Sequence, residues 1–333
     1  MKKRKAFTKV VTLCLILVLV FVMIYSGLQL LGSTVFSVSD DSENVHKSKT
    51  ILRNGIEYFP RQDITVLLIT GIDEFGVMKA SGGYNNSGNV DMVTLAIFDQ
   101  TNEETRLLSL NRDTIVEMPV LGIGGRKAGT MVGQLALSHS FGTGMMDSSE
   151  NVNETVSNLL YGLHIDHYIT ANMDAINILN EAVGGVTVEV KDDFSEVDPT
   201  IKKGTMTLHG DQAIHYVRSR AGVGNQLNIS RMERQKQYMG GFLDAFNRCA
   251  DESTGFLIST YNKINEYVVT DCSTTVMNQL FGKFGKYPIV EIVSPEGENK
   301  IGTAIDNEQH YEFHLDEQKL DDLILRLFYA PKQ

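Results

Sequence analysis

The sequence predicts an α/β protein: a single α-β-α layered domain with a mixed central sheet, preceded by one transmembrane helix. Three observations predict it. The 333-residue chain is 42% hydrophobic and 21% charged, the composition of a globular protein. Strand-like and helix-like segments alternate over residues 62–330 with no internal repeat, which calls for a sheet between helical layers. One uncharged apolar run, Val10–Gly32, stands near the start.

That run is long enough to cross a bilayer core, for which about 20 apolar residues suffice. The basic residues of 1–9 precede it and predict a cytoplasmic N-terminus by the positive-inside rule. No small-residue cleavage site follows, so the segment reads as an uncleaved signal anchor. The expected organisation is a cytoplasmic tail (1–9), an anchor (10–32), a polar juxtamembrane stalk (33–61) and an extracytoplasmic domain (62–330).

The whole chain carries −11. Beyond residue 9 there are 25 basic residues against 41 acidic ones, a net charge of −16. A part that acidic is a poor general binder of nucleic acid, because duplex affinity comes from neutralising phosphates. Any anion it binds must meet a local basic site. Three cysteines give no disulfide framework; Cys249 and Cys272 are left open as a pair.

The first strands are Ile64–Asp73, Val90–Asp99 and Thr105–Leu110, nearly continuous apolar runs that predict a sheet covered on both faces. "QTNEE" reads as the tight turn between the second and third. Further on, "NVNETVSNLLYGL" has helical spacing and "HYITANM" is strand-like. "DAINILNEAV" is a helix closed by Gly184-Gly185, and "VTVEV" is a strand. "GDQAIHYVRSR" begins as a helix, and Ser230 with Glu233 fits a capping box for the next one. The tail gives a helix around Ser273–Phe284, the strand "IVEIVS" and the helix "DEQKLDDLILRLFY".

If the first three strands are antiparallel neighbours, Asp73, Asp91 and the pair Arg112/Asp113 share one sheet edge. Two carboxylates and a guanidinium there suit a hard cation and a phosphate. Spacing alone favours the plainer reading, Asp73 as a turn residue and Asp91 as a strand-end charge. A second basic window is "YVRSRAGVGNQLNISRMERQKQ". Arg218 and Arg220 end one helix; Arg231 and Gln235, four apart, share a face near the start of the next. A helix start and guanidinium forks suit a phosphate. Surface ion pairing is the alternative, and Arg234, off that face, reads as such a surface charge. His164/His167 and His310/His314 have ligand-like spacing but no Cys or third His nearby in sequence.

The segments "LLITGID", "VDMVTLAIFD", "LLSLNRDT", "AVGGVTVEV", "LHGDQAIHYVRSR" and "SRMERQKQ", in this order behind one anchor, resemble the LytR–CpsA–Psr family. These are bacterial extracytoplasmic enzymes that attach teichoic acids, capsular polysaccharides or similar glycopolymers to peptidoglycan. The resemblance implies a phosphotransferase at the cell membrane of a Gram-positive bacterium, acting on a polyprenyl-pyrophosphate-linked glycan. It implies Mg2+ at Asp73 and Asp91, with Asp73, Asp91 and Arg112 catalytic. Arg218, Arg220, Arg231 and Gln235 become pyrophosphate contacts. The chain departs from the family pattern at Asn89 (usually Arg), Asn111 (usually Pro), Gln134 (a Lys position) and Asn228 (usually acidic). Those departures leave room for a second function, a catalytically silent polyprenyl-pyrophosphate binder.

Overall fold

The computed structural model describes residues 50–332, apart from 85–87, 123–124, 220, 225–227, 254–255, 274–275, 277–279, 281–282, 285–286 and 304–308. The anchor expected at Val10–Gly32 and most of the helix expected near Ser273–Phe284 lie outside these residues. Among the described residues no helix is long and apolar enough to cross a membrane.

The central sheet grows from β3 (Ile64–Ile72), β4 (Val90–Asp99) and β5 (Glu104–Leu110), antiparallel neighbours in that order. The β4–β5 turn closes on Asp99, whose Oδ1 accepts the amides of Thr101 and Asn102 at 3.1 and 2.9 Å. On one side β8 (His167–Ala171) runs parallel to β3, with β11 (Val268–Thr270) antiparallel at the edge. On the other, β12 (Ile289–Val293) runs parallel to β5. The six-stranded sheet, β11-β8-β3-β4-β5-β12, is therefore mixed, as the alternating sequence pattern predicts.

Side chains alternate across the sheet with period two. Leu67, Ile69, Ala96, Phe98 and Leu107 pack beneath α2 (Met173–Ala182), α3 (Asp211–Arg218) and α4 (Asn228–Glu252). Val66, Leu68, Val93, Leu95, Ile97 and Leu108 face α1 (Met146–Leu159) and α6 (Glu317–Phe328). This two-sided burial is what the unbroken apolar runs required. The Asn172 side chain accepts the Ala175 amide and caps α2; Gly184 and Gly185, both at positive φ, end it and turn the chain into β9 (Val186–Val190).

Several elements were not foreseen. β1 (Ile51–Arg53) and β2 (Ile56–Pro60) lie in the stretch read as a stalk, yet β2 pairs with β15 (Tyr329–Pro331). The folded region therefore begins before residue 62. β6 (Ile115–Leu121) and β7 (Lys127–Gln134) form an antiparallel pair, and β13 (Gly297–Gly302) pairs with β14 (His310–Leu315). The short α5 (Phe256–Ile264) precedes β11, and β10 (Gly204–Leu208) pairs with β9. The capping box is also corrected: α4 already includes Asn228, so Ser230 is a first-turn residue and not its cap.

α4 crosses β9 at Gly241. A Cβ there would overlap the Thr187 carbonyl oxygen and meet Val186 Cγ1 at 3.0 Å. Gly241→Ala should gain about 1 kcal/mol of helix propensity. The overlap is with backbone, which cannot swing aside, so a net loss of about 1–2 kcal/mol is expected from the overpacking. Chemical denaturation checks this; an unchanged or higher midpoint would show that α4 can lift from β9 at no cost.

Candidate functional site

Antiparallel pairing brings the end of β3 beside the start of β4. The Asp73 amide donates to Asn89 O at 3.1 Å, and the Asn89 amide returns to Asp73 Oδ1 at 2.8 Å. Gly88 permits this approach: a Cβ there would overlap Glu74 and stand 3.0 Å from Asp73 Oδ1. Its amide donates to the Glu74 carboxylate, and its carbonyl faces His139 Nδ1 at 2.9 Å. His139 is fully buried, and burial pushes its imidazole down from 6.5 to about 4. The ring is therefore neutral at pH 7, and Nδ1 carries the proton that meets the carbonyl.

Asp91 is 6% exposed. Continuing the β4–β5 register beyond Val93↔Leu110 sets Asp91 opposite Arg112. Arg112 Nη1 meets Asp91 Oδ1, and Arg231 Nη1 approaches the same oxygen at 3.4 Å. Arg231 Nη2 also donates to the Asp91 carbonyl at 3.3 Å. Arg112 is aimed by its own turn. Asn111 Oδ1 accepts the Asp113 amide at 3.0 Å, and Asn111 O accepts the Thr114 amide and hydroxyl. Asn111 thus earns its place as a turn former. Gln134 donates to Tyr311 O at 2.6 Å and to Asp113 Oδ1 at 3.4 Å, behind the same turn.

Arg218 is the last residue of α3 and is half-exposed; its Nη2 lies 3.9 Å from Asp73 Oδ2, and its guanidinium stands over Phe75. Asp73, Asp91, Arg112, Arg218 and Arg231 are thereby gathered at one sheet edge. Arg220 lies outside the described residues. Gln235 donates to Val217 O at 3.1 Å, an end carbonyl of α3.

Arg234 corrects the sequence reading. It is not a surface charge but is 5% exposed. Nε donates to Tyr216 O at 3.0 Å, Nη2 to Ser219 O, and Nη1 pairs with Asp192 at 2.8 Å. With Gln235 it satisfies the orphan carbonyls at the end of α3.

An apolar cavity adjoins Asp91, lined by Met92, Met173, Ile176, Val217 and Met239. A larger one of about 400 Å3 lies between β4, β5 and α4, and both reach Met92, Gln235 and Met239. Sequence reasoning could not name this lining, because its residues come from elements far apart in the chain. What the arrangement offers chemically is a cationic edge with two carboxylates, one of which, Asp91, borders an apolar hollow.

The sequence profile of the LytR_cpsA_psr family matches residues 29–327. The chain belongs to that family. It is 28% identical over 229 residues to the polyisoprenyl-teichoic acid–peptidoglycan teichoic acid transferase TagU of Enterococcus faecalis, covering 69% of this chain and 68% of that protein. It is 28% identical over 237 residues to the TagV transferase of Bacillus subtilis, covering 69% of this chain. The match spans about half of that relative, 54%, and likewise 53% of a Staphylococcus aureus relative. Among solved structures, TagT bound to LI-WTA superposes with a TM-score of 0.57 at 22% identity, over 85% of this chain and 96% of that one. This likeness is one of fold.

Two outcomes follow from the geometry. Arg234→Met leaves two carbonyls and Asp192 unmatched, and should cost about 3 kcal/mol of unfolding free energy; a loss below about 0.5 kcal/mol would return Arg234 to the surface. His139 titrates near 6.5 unfolded and about 4 folded. The unfolded state therefore binds the extra proton between these values, and stability falls as pH drops through that window. The loss approaches about 3 kcal/mol below pH 4. Unfolding curves at pH 7 and 4.5 should separate wild type from His139→Asn, which lacks this component; equal losses would exonerate the histidine.

Proposed function

We propose that this chain moves a glycopolymer of the teichoic acid class from a polyprenyl-pyrophosphate carrier to peptidoglycan, working outside the membrane behind its N-terminal apolar segment. The observation that carries this reading is an apolar cavity that reaches Asp91, the carboxylate shared by Arg112 and Arg231, and that shares Met92, Gln235 and Met239 with the larger cavity of about 400 Å3. A ligand that spans these cavities and the guanidiniums would be apolar at one end and anionic next to it. The family membership and the names of the TagU and TagV relatives support the same chemistry.

The two carboxylates are oxygen donors set beside guanidiniums, a set that fits Mg2+. Held by Asp73 and Asp91, Mg2+ would neutralise charge on the phosphates. The chain's own groups do the rest. Arg112, Arg218 and Arg231 bind the pyrophosphate oxygens and stabilise charge growing on the leaving lipid phosphate. Met92, Met173 and Met239 hold the lipid and keep water from its phosphate end. The acceptor hydroxyl of peptidoglycan attacks the phosphorus that carries the glycan. Asp91 commits an oxygen to two guanidiniums and so orients them. Asp73 is more exposed and is approached by Arg218 only at 3.9 Å, so it takes the acceptor's proton on an oxygen that it does not give to Mg2+.

A second reading, a pyrophosphate binder without transfer, draws on Asn89, an uncharged side chain beside Asp73. One assay separates the two. Full-length protein in detergent is given a lipid-linked glycan donor and peptidoglycan. Arg218→Ala, at a half-exposed site, should keep the unfolding midpoint and lower transfer by about 100-fold; Arg112→Ala should lower transfer as much and, by removing a partner of buried Asp91, lower the midpoint as well. Transfer at near wild-type rates in both variants removes the cluster from the chemistry. Donor binding by wild type without transfer selects the second reading.

A further inference from the structure

A second convergence of ligand atoms lies at the other end of the sheet. β8 and β11 pair as Val268↔Ala171, Val269↔Thr170 and Thr270↔Ile169. Two steps further this register sets Cys272 opposite His167, with Asp271 opposite Tyr168. One ligand atom each from His167, Asp271 and Cys272 falls within 4.8 Å of the others. His167 Nδ1 stands 3.4 Å from Asp271 Oδ2, and Cys272 Sγ stands 3.8 Å from Asp271 Oδ1. A tetrahedral zinc ion bound by nitrogen, oxygen and sulfur gives ligand-to-ligand edges of roughly 3.3–3.7 Å. The observed spacings need only small side-chain adjustments to meet them.

The trio is held by its surroundings. The Tyr168 amide donates to Asp271 Oδ1 at 2.9 Å, which orients the carboxylate. Thr270 Oγ1 donates to Tyr168 O at 2.6 Å and accepts the Cys272 amide at 3.1 Å. These bonds fix the backbone on both sides of the three ligands, the role that outer partners play in metal sites. Cys272 and Cys249 are both free thiols, so no disulfide competes for the sulfur. The His167 and Asp271 side chains are 26% and 30% exposed, which leaves an approach from solvent.

The site is separate from the arginine cluster. β3 and β8 are parallel, with Gly71 beside Ala171 and Leu67 beside His167. Four residues at about 3.3 Å each set His167 roughly 13 Å down the sheet from the level of Gly71. The donor types differ too: oxygen-only carboxylates at the arginine edge, and a thiol, an imidazole and a carboxylate here.

We propose that His167, Asp271 and Cys272 form a binding site for a zinc-class divalent cation, which staples the edge strand β11 to β8. A thiolate, a carboxylate and a neutral imidazole place two negative charges around the ion. That donor set favours zinc over magnesium or calcium. Three protein ligands leave the fourth position to water. The cation replaces none of the backbone bonds of β11, a three-residue strand, and adds a cross-link at its end.

Cobalt(II) titration of the reduced full-length protein in detergent reads the site directly, because a thiolate ligand gives a near-ultraviolet charge-transfer band. One equivalent should develop the band, and zinc should displace it. Cys272→Ser should abolish it, while Cys249→Ser and Asp73→Asn should retain it. Asp271→Asn keeps an oxygen for the Tyr168 amide, so it should remain folded and bind cobalt more weakly. Zinc should raise the thermal midpoint of wild type and leave that of Cys272→Ser unmoved. No band in folded wild type, or a band that survives Cys272→Ser, overturns the proposal.

Discussion

The Asp91 carboxylate, shared by Arg112 and Arg231, is the interaction on which the rest of the site depends. All three groups are largely removed from water, and an unpaired charge in that position would be prohibitive. Together they carry one net positive charge. Two guanidiniums alone would repel; with Asp91 between them they are held close and still favour an incoming anion. The three residues come from the start of β4, the turn after β5 and the first turns of α4. Satisfying one buried carboxylate therefore fixes how the helical layer sits over the sheet edge.

α4 transmits that constraint. Arg231 anchors it to β4, and Gly241 lets it lie against β9. Between those points Arg234 and Gln235 grip the carbonyls that end α3, which sets Arg218 beside Asp73. Met239 on the same helix closes the apolar cavity. One helix thus carries a charge for the sheet edge, a clip for its neighbouring helix and a wall of the cavity. Polar and apolar recognition are built on a single rigid element, which keeps their relative geometry fixed.

Much of this was legible in the residues. The unbroken apolar runs of β3, β4 and β5 announced a sheet buried on both faces, and the "QTNEE" turn fixed their order. Order and antiparallel sense were enough to bring Asp73, Asp91 and Arg112 to one edge. What failed was anything decided by a distant partner. Helical spacing says that Arg234 is off the Arg231/Gln235 face; it cannot say that the other face meets the end of α3. Residues 51–60 read as polar stalk because β15, which pairs with β2, lies at the far end of the chain. His167 gave no sign of its sulfur neighbour for the same reason. Asn111 looked like a loss against the family pattern, and local hydrogen bonding makes it a working turn residue.

The acidity of the chain bears on how such a site would meet an anionic substrate. Beyond residue 9 the net charge is −16, so the long-range field opposes approach by a polyanionic glycan. Surface fields fade within about 8 Å at physiological ionic strength, whereas a partly buried cluster is screened far less. Arg112 and Arg231 act at that short range, inside the edge of the sheet. A freely diffusing substrate would suffer from the lack of steering. A substrate confined to the membrane by its own lipid would not, because the search is already two-dimensional and the apolar cavity supplies the first hold. On the proposed function, an acidic exterior would serve selectivity: it would discourage free anions, while the lipid end would bring the pyrophosphate to the guanidiniums.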